Sequence, residues 1–297
     1  MTESRPKITG LVTCFNEEHN IGPCIESLQW CDEIVVVDSF STDRTAEIAK
    51  SFPKVRFFER EYYGAGAQKN WAMQHVRSEW VFLLDSDERC TPDLQKETIR
   101  LLEKGPEFLA YMMNRSVYLL GTRIRFSGWQ RDRVARLFKR GTAYYENRRV
   151  HSLLHTTGHV PLLKHSIEHH MVDRTFTEYA FRLGKYGFWG AGQCWREGET
   201  AGAFDVAIRP LWRFFKTYVI QLGFLDGVRG LVFCLLQAHG TYMKFAILWG
   251  WRVNEARGIE PDLPEFDDGE STWEGLEGIQ TPDNQDTQGS ETPNNDA

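Results

Sequence analysis

The hydrophobic pattern of the first 120 residues alternates between two periods. Short aliphatic and β-branched runs typical of buried strands recur at 8–14, 33–37, 55–59, 80–84 and 109–118. Between these runs, apolar residues recur at three- and four-residue steps, which predicts amphipathic helices. Asp43 and Thr91 stand where helix N-caps are expected. The pattern predicts an α/β domain with a mixed, mostly parallel sheet flanked by helices.

The remaining pattern changes period and then loses it. Helices rich in Trp, Phe and Leu are predicted at 175–197, 206–222 and 226–254. Residues 230–251 carry only Lys244 as a formal charge, which raises the question of a membrane span. Polar Gln237 and His239 near the middle favour a helix that lies in the membrane interface or packs on the body. We expect a catalytic domain at 1–172, a helical region at 173–258 and an acidic disordered tail at 259–297.

Charge is distributed unevenly along the 297 residues. The net charge is −6, but residues 264–297 hold ten acidic residues and no Lys or Arg, so the body is about +4. A basic body favours anionic partners such as nucleotides, phosphorylated sugars or a lipid surface, and no nucleic-acid partner is expected. The first seven residues do not form a signal-peptide pattern, and we expect a cytoplasmic protein. Six Cys without a metal-site or Cys-x-x-Cys spacing predict buried free thiols.

Polar residues end three of the first four predicted strands. They are Asn16-Glu17-Glu18, Asp38 and Asp85-Ser86-Asp87. Ligands of open α/β sheets bind outside the carboxyl ends of the strands, so these groups are expected at one edge. Asp85 and Asp87 can both reach one divalent cation, and their carboxylates favour Mg²⁺ or Mn²⁺ over zinc.

In this order and spacing, four motifs resemble the inverting glycosyltransferases of family 2, which have the GT-A fold. The resemblance covers about residues 8–170, with motifs Thr13-Cys14-Phe15-Asn16-Glu17-Glu18, Val37-Asp38-Ser39-Phe40-Ser41-Thr42-Asp43, Gly64-Ala65-Gly66-Ala67-Gln68-Lys69-Asn70 and Asp85-Ser86-Asp87-Glu88. A narrower resemblance, to the lipopolysaccharide-core β-glucosyltransferases, rests on Gly128-Trp129, Arg136-Leu137-Phe138 and Val150-His151.

The resemblance implies transfer of a hexose, in this subgroup glucose, from a UDP-sugar to a lipid-linked saccharide such as lipopolysaccharide core. It implies that the nucleotide-sugar is bound by Thr13, Glu17, Asp38, Lys69 and Asp85. Lys69 occupies the place of the family's usual Arg, so it keeps the charge but loses the bidentate fork. The implied Mg²⁺ or Mn²⁺ ligands are Asp85 and Asp87, with His151 as a further candidate.

An inverting transfer also needs a general base for the acceptor hydroxyl. After the helix that follows the metal motif, the stretch up to His151 offers only Asp132 and Glu146. Asp132 matches an acidic position of the subgroup and is the predicted catalytic base; the alternative is an ion pair with a neighbouring Arg. The subgroup usually has Glu after Val-His, whereas Ser152 stands here.

The basic stretch 115–149 lies where the family places its acceptor side, so a phosphorylated saccharide is the expected acceptor, although the stretch could be only a solvated face. The C-terminal helices, with Arg209, Arg213, Lys216 and Arg229, would hold the enzyme peripherally on anionic lipid at the inner face of the cell membrane. Two other functions stay open. A nucleotidyltransferase would need a Gly-rich loop after the first strand, and none is present at 13–18. A catalytically impaired binding protein is suggested by Ser152.

Overall fold

A computed structural model describes residues 5–146, 152–172 and 176–264. The strands are β1 Ile8–Cys14, β2 Glu33–Asp38, β3 Val55–Glu59, β4 Trp80–Asp85, β5 Glu88–Cys90, β6 Ala110–Leu119, β7 Thr122–Arg123, β8 Arg133–Lys139, β9 Ala143–Tyr145, β10 Leu154–Thr156 and β11 Ile167–Val172. The helices are α1 Ile21–Ser27, α2 Thr45–Lys50, α3 Ala65–Met73, α4 Pro92–Lys104, α5 Phe176–Arg196, α6 Ala203–Phe215 and α7 Gly227–Glu255. A π-helical turn, Lys216–Ile220, and a 3₁₀ turn, Gly223–Asp226, connect α6 to α7.

The main sheet is mixed and flanked by helices, as the GT-A expectation requires. Its strand order is β3-β2-β1-β4-β8-β6-β11-β5, with β7 paired to β6. The first four strands in this order run parallel to one another. From β8 onward the pairs are antiparallel where the register is defined. The predicted fold class is therefore confirmed.

Both faces of the parallel strands are covered, which explains their continuous apolar runs. In β2, Ile34 and Val36 pack into one core cluster, while Val35 and Val37 pack into the other. In β4, Phe82 and Leu84 belong to the first cluster, and Val81 and Leu83 to the second. The two-residue period of a strand thus divides its side chains between two cores.

One of the two predicted helix caps stands as expected. The Thr91 side chain accepts from the Leu94 N–H at 3.3 Å, and α4 begins at Pro92. Asp43 is not the N-cap of α2, because the helix begins at Thr45 and Arg44 holds that position. Its carboxylate still accepts from the Thr45 N–H, at 2.9 Å, so the predicted start was one residue early.

The described chain forms two compact units. The first takes in residues 5–116 and 132–170, and the second takes in 117–131 and the described part of 171–264. The second unit contains the three predicted C-terminal helices as α5, α6 with its π-helical turn, and α7. The predicted acidic tail lies outside the described residues beyond position 264.

One described stretch, Gly223–Glu255, has the length and composition of a membrane-crossing helix, with a mean hydropathy of 1.4 over an 18-residue window. Its side chains Phe233, Phe245 and Leu248 are buried in the cores of the second unit. Core helices of soluble proteins can pass the same test. The stretch is therefore weak evidence for a span.

Candidate active site

The ends of β1, β2 and β4 meet at one edge of the sheet. In the parallel register, Thr13 of β1 lies beside Val37 of β2 on one side and Asp85 of β4 on the other. The next residue, Cys14, lies beside Asp38. The structure thus brings the predicted residues Thr13, Asp38 and Asp85 to neighbouring strand ends.

The loops that follow β1 and β2 are joined by hydrogen bonds. The Asn16 backbone N–H donates to Ser41 Oγ at 2.8 Å, and the Thr42 N–H donates to Asn16 Oδ1 at 2.8 Å. Asn16 and Phe40 have φ angles of 53° and 60°, an uncommon backbone conformation for residues other than glycine. Such backbone persists where surrounding contacts hold it, and it often accompanies a binding site.

Asp38 is fully buried beneath these loops. Its carboxylate accepts from the Ser41 N–H at 2.7 Å, and the Ser41 hydroxyl donates to it as well. The Cys14 thiol also donates to the Asp38 carboxylate, at 3.4 Å from Oδ1. In this structure Asp38 therefore holds the β2 loop in place.

Glu17 lies at the opening of α1 rather than on a strand. Its backbone N–H donates to Thr45 Oγ1 at 2.7 Å, and its carboxylate accepts from the Asn20 side chain at 2.8 Å. Phe15 and Phe40, in the two joined loops, are about half exposed. Both aromatics stand in the sequence motifs, but sequence reasoning gave them no role. The available sequence signal was an aromatic residue one or two positions after a strand end.

Lys69 of α3 reaches the end of β4. Its Nζ lies 2.8 Å from Asp85 Oδ1, and its side chain is largely buried. Burial lowers the pKa of Lys69, while the charge of Asp85 opposes that shift. The ion pair joins two residues that were each predicted from the sequence to bind the nucleotide-sugar.

Arg136 of β8 holds the other oxygen of Asp85. Its Nη2 is hydrogen-bonded to Asp85 Oδ2 and lies 2.8 Å from Glu88 Oε1. Although burial alone would raise the pKa of Asp85, the charges of Arg136 and Lys69 hold it well below its usual range. Asp85 is thus ionised between two cations.

The ion pairs continue from Glu88 to the predicted base. Glu88 is fully buried and lies 3.4 Å from Arg115 Nη1. Arg115 binds Asp132 through two bonds, Nε to Oδ2 at 2.6 Å and Nη2 to Oδ1 at 3.0 Å. Asp132 therefore does have an arginine partner, but it is Arg115 of β6 rather than one of the arginines next to it in sequence. Such a bidentate pair fixes the carboxylate's orientation.

Asp87 lies opposite His169 of β11. The Asp87 Oδ2 to His169 Nε2 distance is 3.4 Å, and β11 places His169 beside Glu88 in the strand register. Burial lowers the pKa of His169, but the charge of Asp87 and the hydrogen bond to it together raise the pKa above its usual value. His169 was missed by sequence reasoning. The candidate His151 lies outside the described residues.

The described residues contain no group of three His, Cys, Asp or Glu side chains that could hold a metal ion. Asp87 and His169 nevertheless bring one carboxylate oxygen and one ring nitrogen to a single point. Magnesium sites commonly use one or two protein carboxylates and take their other ligands from substrate phosphates and water. The pair fits a cation that arrives with a diphosphate.

The opening of α3 packs tightly on the segment after β9. A Cβ on Gly66 would lie 2.0 Å from the Glu146 carbonyl oxygen and 2.6 Å from Ser152 Oγ, so this approach requires glycine. Ser152 donates to the Glu146 carbonyl oxygen, and the Glu146 carboxylate accepts from the Leu153 N–H at 3.2 Å. Ser152 and Glu146 are thus joined by a hydrogen bond on either side of residues 147–151, which are not among the described residues.

Comparisons with known proteins agree with this architecture. The sequence model for Glycosyl transferase family 2 matches residues 11–170. The lipopolysaccharide core biosynthesis glycosyltransferase LpsC of Rhizobium meliloti is 28% identical over 84% of this chain and 97% of its own length. The uncharacterized glycosyltransferase RT0209 of Rickettsia typhi is 25% identical over 82% of this chain and 86% of its own length.

Among solved structures, S. aureus TarS 1–349 in complex with UDP-GlcNAc is similar with a TM-score of 0.44 and 12% identity, covering 85% of this chain and 92% of that one. The family match covers more than half of the chain and contains the carboxyl ends of β1, β2 and β4, which form the site. The chain belongs to glycosyl transferase family 2, and it is a glycosyltransferase.

Proposed function

We propose that this enzyme transfers glucose, with inversion, from UDP-glucose to a lipid-linked saccharide such as lipopolysaccharide core. The observation that carries the proposal is the Lys69–Asp85–Arg136 cluster at the end of β4, in which the two cations are largely buried and Asp85 is partly exposed. It places two cations beside the ends of β1 and β2, where a ligand of an open α/β sheet binds. Similarity to LpsC, which is named for lipopolysaccharide core biosynthesis, supports the acceptor class.

The nucleoside is assigned to the joined loops after β1 and β2. Thr13, Glu17 and Asp38 remain the proposed contacts for the base and ribose. Because Asp38 is buried against Ser41, its contribution includes holding the loop that meets the base. Exposed Phe15 and Phe40 offer flat apolar surfaces on which a base can stack.

The diphosphate is assigned to Lys69 and Arg136. Lys69 lies on the first turns of α3, whose N-terminal N–H groups favour an anion. Arg136 adds the planar guanidinium that Lys69 lacks at the family's usual Arg position. The two cations together can balance charge that develops on the leaving group.

Asp87 and His169 are the proposed holders of Mg²⁺ or Mn²⁺, with Asp85 beside them. When bound, the cation would act as a Lewis acid that neutralises the leaving diphosphate. Asp87 follows the end of β4 and lies opposite His169, so these two side chains would hold that charge next to the proposed diphosphate cations.

Asp132 is the proposed general base. The acceptor hydroxyl attacks the anomeric carbon as the bond to the diphosphate oxygen breaks, and its proton passes to Asp132. Arg115 keeps the carboxylate oriented before the transfer. Glu88 lies on the other side of Arg115, so the guanidinium retains a partner when Asp132 is protonated.

A lipid-linked acceptor requires access to a membrane surface. We therefore propose that the enzyme works peripherally on the anionic inner face of the cell membrane. The basic residues of the second unit support this proposal, since anionic lipid attracts Lys and Arg near the surface.

The proposal is tested by titrating the full chain with UDP-glucose, and with GDP- and ADP-glucose as controls, in Mn²⁺ or EDTA. We expect binding and slow hydrolysis with UDP-glucose and Mn²⁺, and transfer when lipopolysaccharide core acceptor is added. Binding without hydrolysis or transfer under all conditions would instead favour the impaired binding protein suggested by Ser152. Equal binding of all three nucleotides would remove the uridine assignment.

A further inference from the structure

Helix α6 exposes its apolar side. Its large apolar residues and those of the π-helical turn lie four, seven, eight, eleven and fifteen positions after Phe204, a spacing that defines one helix face. These residues are Phe204, Ile208, Leu211, Trp212, Phe215 and Val219, and they are 65%, 44%, 66%, 55%, 47% and 42% exposed.

The charged residues of α6 are engaged by protein instead. Arg213 donates to Gln237 of α7 at 3.0 Å. Arg209, whose side chain is about half exposed, pairs with Asp205 at 2.7 Å, and its guanidinium lies 4.5 Å from the centre of the Phe245 ring of α7. A surface helix of a soluble protein normally turns its apolar residues inward, whereas α6 exposes them. The outer face of α6 is therefore suited to an apolar medium.

The apolar surface continues around the turn into α7. Ile220, Leu222, Phe224, Leu225 and Val228 are all exposed there. We call this surface, from Phe204 to Val228, the apolar edge. It is far larger than the scattered single exposed apolar residues that are normal on protein surfaces.

The 3₁₀ turn Gly223–Asp226 forms the tip of the apolar edge and is fixed by close packing and hydrogen bonds. A Cβ on Gly230 would lie 1.9 Å from the Gly223 carbonyl oxygen, so the two glycines allow the turn to pack closely on α7. Asp226 accepts from the backbone N–H groups of Arg125 and Phe126, at 3.1 and 2.9 Å. Specific contacts thus fix the turn that carries the exposed side chains to the rest of the second unit.

Charge identifies the occupant of this surface. Residues 204–229 contain four Lys or Arg and two acids; Asp205 pairs with Arg209, and the Asp226 carboxylate is engaged by backbone N–H groups. Lys216 and Arg229 flank the tip. Anionic lipid headgroups complement this charge while the acyl region accepts the apolar side chains. A second copy of the chain would instead bring like charges together.

We propose that the apolar edge inserts into the interfacial region of an anionic bilayer, with α6 in the membrane plane. This inference rests on the proposed membrane association and deepens it, since binding would depend on buried apolar side chains as well as on charge. Full removal of one Leu side chain from an apolar medium changes affinity by roughly tenfold or more.

The test uses the full chain and flotation with vesicles of phosphatidylcholine, with and without phosphatidylglycerol. Leu211→Ser and Leu225→Ser should each weaken binding to anionic vesicles by about tenfold. The control Leu162→Ser removes an exposed leucine of the first unit and should bind as the wild type does. Part of the wild-type binding should survive at 1 M salt, where charges are screened within about 3 Å.

Two further measurements complete the test. Lipids brominated in the acyl chains should quench tryptophan fluorescence less in Trp212→Phe than in the wild type. Hydrolysis of UDP-glucose in solution should be equal in the wild type and in all variants. If the wild type does not hydrolyse UDP-glucose, the proposed function is rejected independently of the membrane insertion. Unchanged flotation of both serine variants, or a wild-type oligomer that they convert to monomer without any lipid binding, would overturn the insertion.

Discussion

Arg115 and Asp132 form a two-point ion pair, with Nε–Oδ2 and Nη2–Oδ1 distances of 2.6 and 3.0 Å. If Asp132 accepts the acceptor's proton, Asp132→Asn should lower transfer by about 10²- to 10⁴-fold, the usual contribution of general-base catalysis. Donor affinity, measured by calorimetry, should be unchanged. Glu146→Gln is the matched control and should have little effect. The reverse order of these two effects would assign the base to Glu146.

The adjacent carboxylates Asp87 and Glu88 should respond differently to amide substitution. Glu88 is fully buried between Arg136 and Arg115, so Glu88→Gln should lower the free energy of unfolding by about 3–5 kcal/mol. Asp87→Asn should cost less stability than Glu88→Gln, because Asp87 is not fully buried, and should abolish Mn²⁺-dependent transfer. Full activity of Asp87→Asn in EDTA would contradict the proposed cation site.

Asp38→Ala should weaken UDP binding and also lower stability. Its carboxylate accepts two bonds from Ser41, so its removal leaves the loop after β2 without an acceptor. The expected loss of stability is about 1–3 kcal/mol, the penalty of unsatisfied buried donors. Calorimetry with UDP and chemical denaturation report the two effects. Unchanged UDP affinity would restrict Asp38 to the fold.

Asn70 pairs with the backbone of Tyr145 through both ends of its amide. Its Nδ2 donates to the Tyr145 carbonyl at 2.7 Å, and the Tyr145 N–H donates to its Oδ1 at 2.8 Å. Asn70→Ala should therefore lower the free energy of unfolding by about 1–3 kcal/mol. Gln74→Ala, one turn later and exposed, should change it by less than about 0.5 kcal/mol in urea denaturation.

The cysteines predict a decline of stability at alkaline pH. All six are buried and free, as their spacing predicted, and burial raises the pKa of Cys90 from 9.0 to about 12. The Cys90 thiol ionises at a lower pH in the unfolded chain than in the folded protein. Its contribution to the free energy of unfolding is therefore complete below pH 9.0 and is lost as the pH rises toward 12. Cys90→Ala should reduce this slope in urea titrations between those values. An unchanged slope would exclude Cys90 as its source.

The strands could be predicted from sequence because burial on both faces leaves continuous apolar runs, as in Val81 to Leu84. The partner of Asp132 could not, because it depends on the register of β6 with β8, which brings Arg115 N–H to the Asp132 carbonyl at 2.9 Å. His169 meets Asp87 through the pairing of two short strands far apart in sequence. The sequence predicted that the basic stretch 115–149 lies on the surface, yet Arg115 and Arg136 are internal partners of Glu88.

Lys69 and Arg136 share Asp85, each holding one of its carboxylate oxygens. An incoming anion must therefore compete with a carboxylate tethered in the same site, whose local concentration is fixed by the fold. Asp85 therefore competes with any anion for both cations, and this competition weakens the binding of a weakly charged ligand. A diphosphate carries more charge than one carboxylate, so the competition favours the diphosphate of the proposed donor.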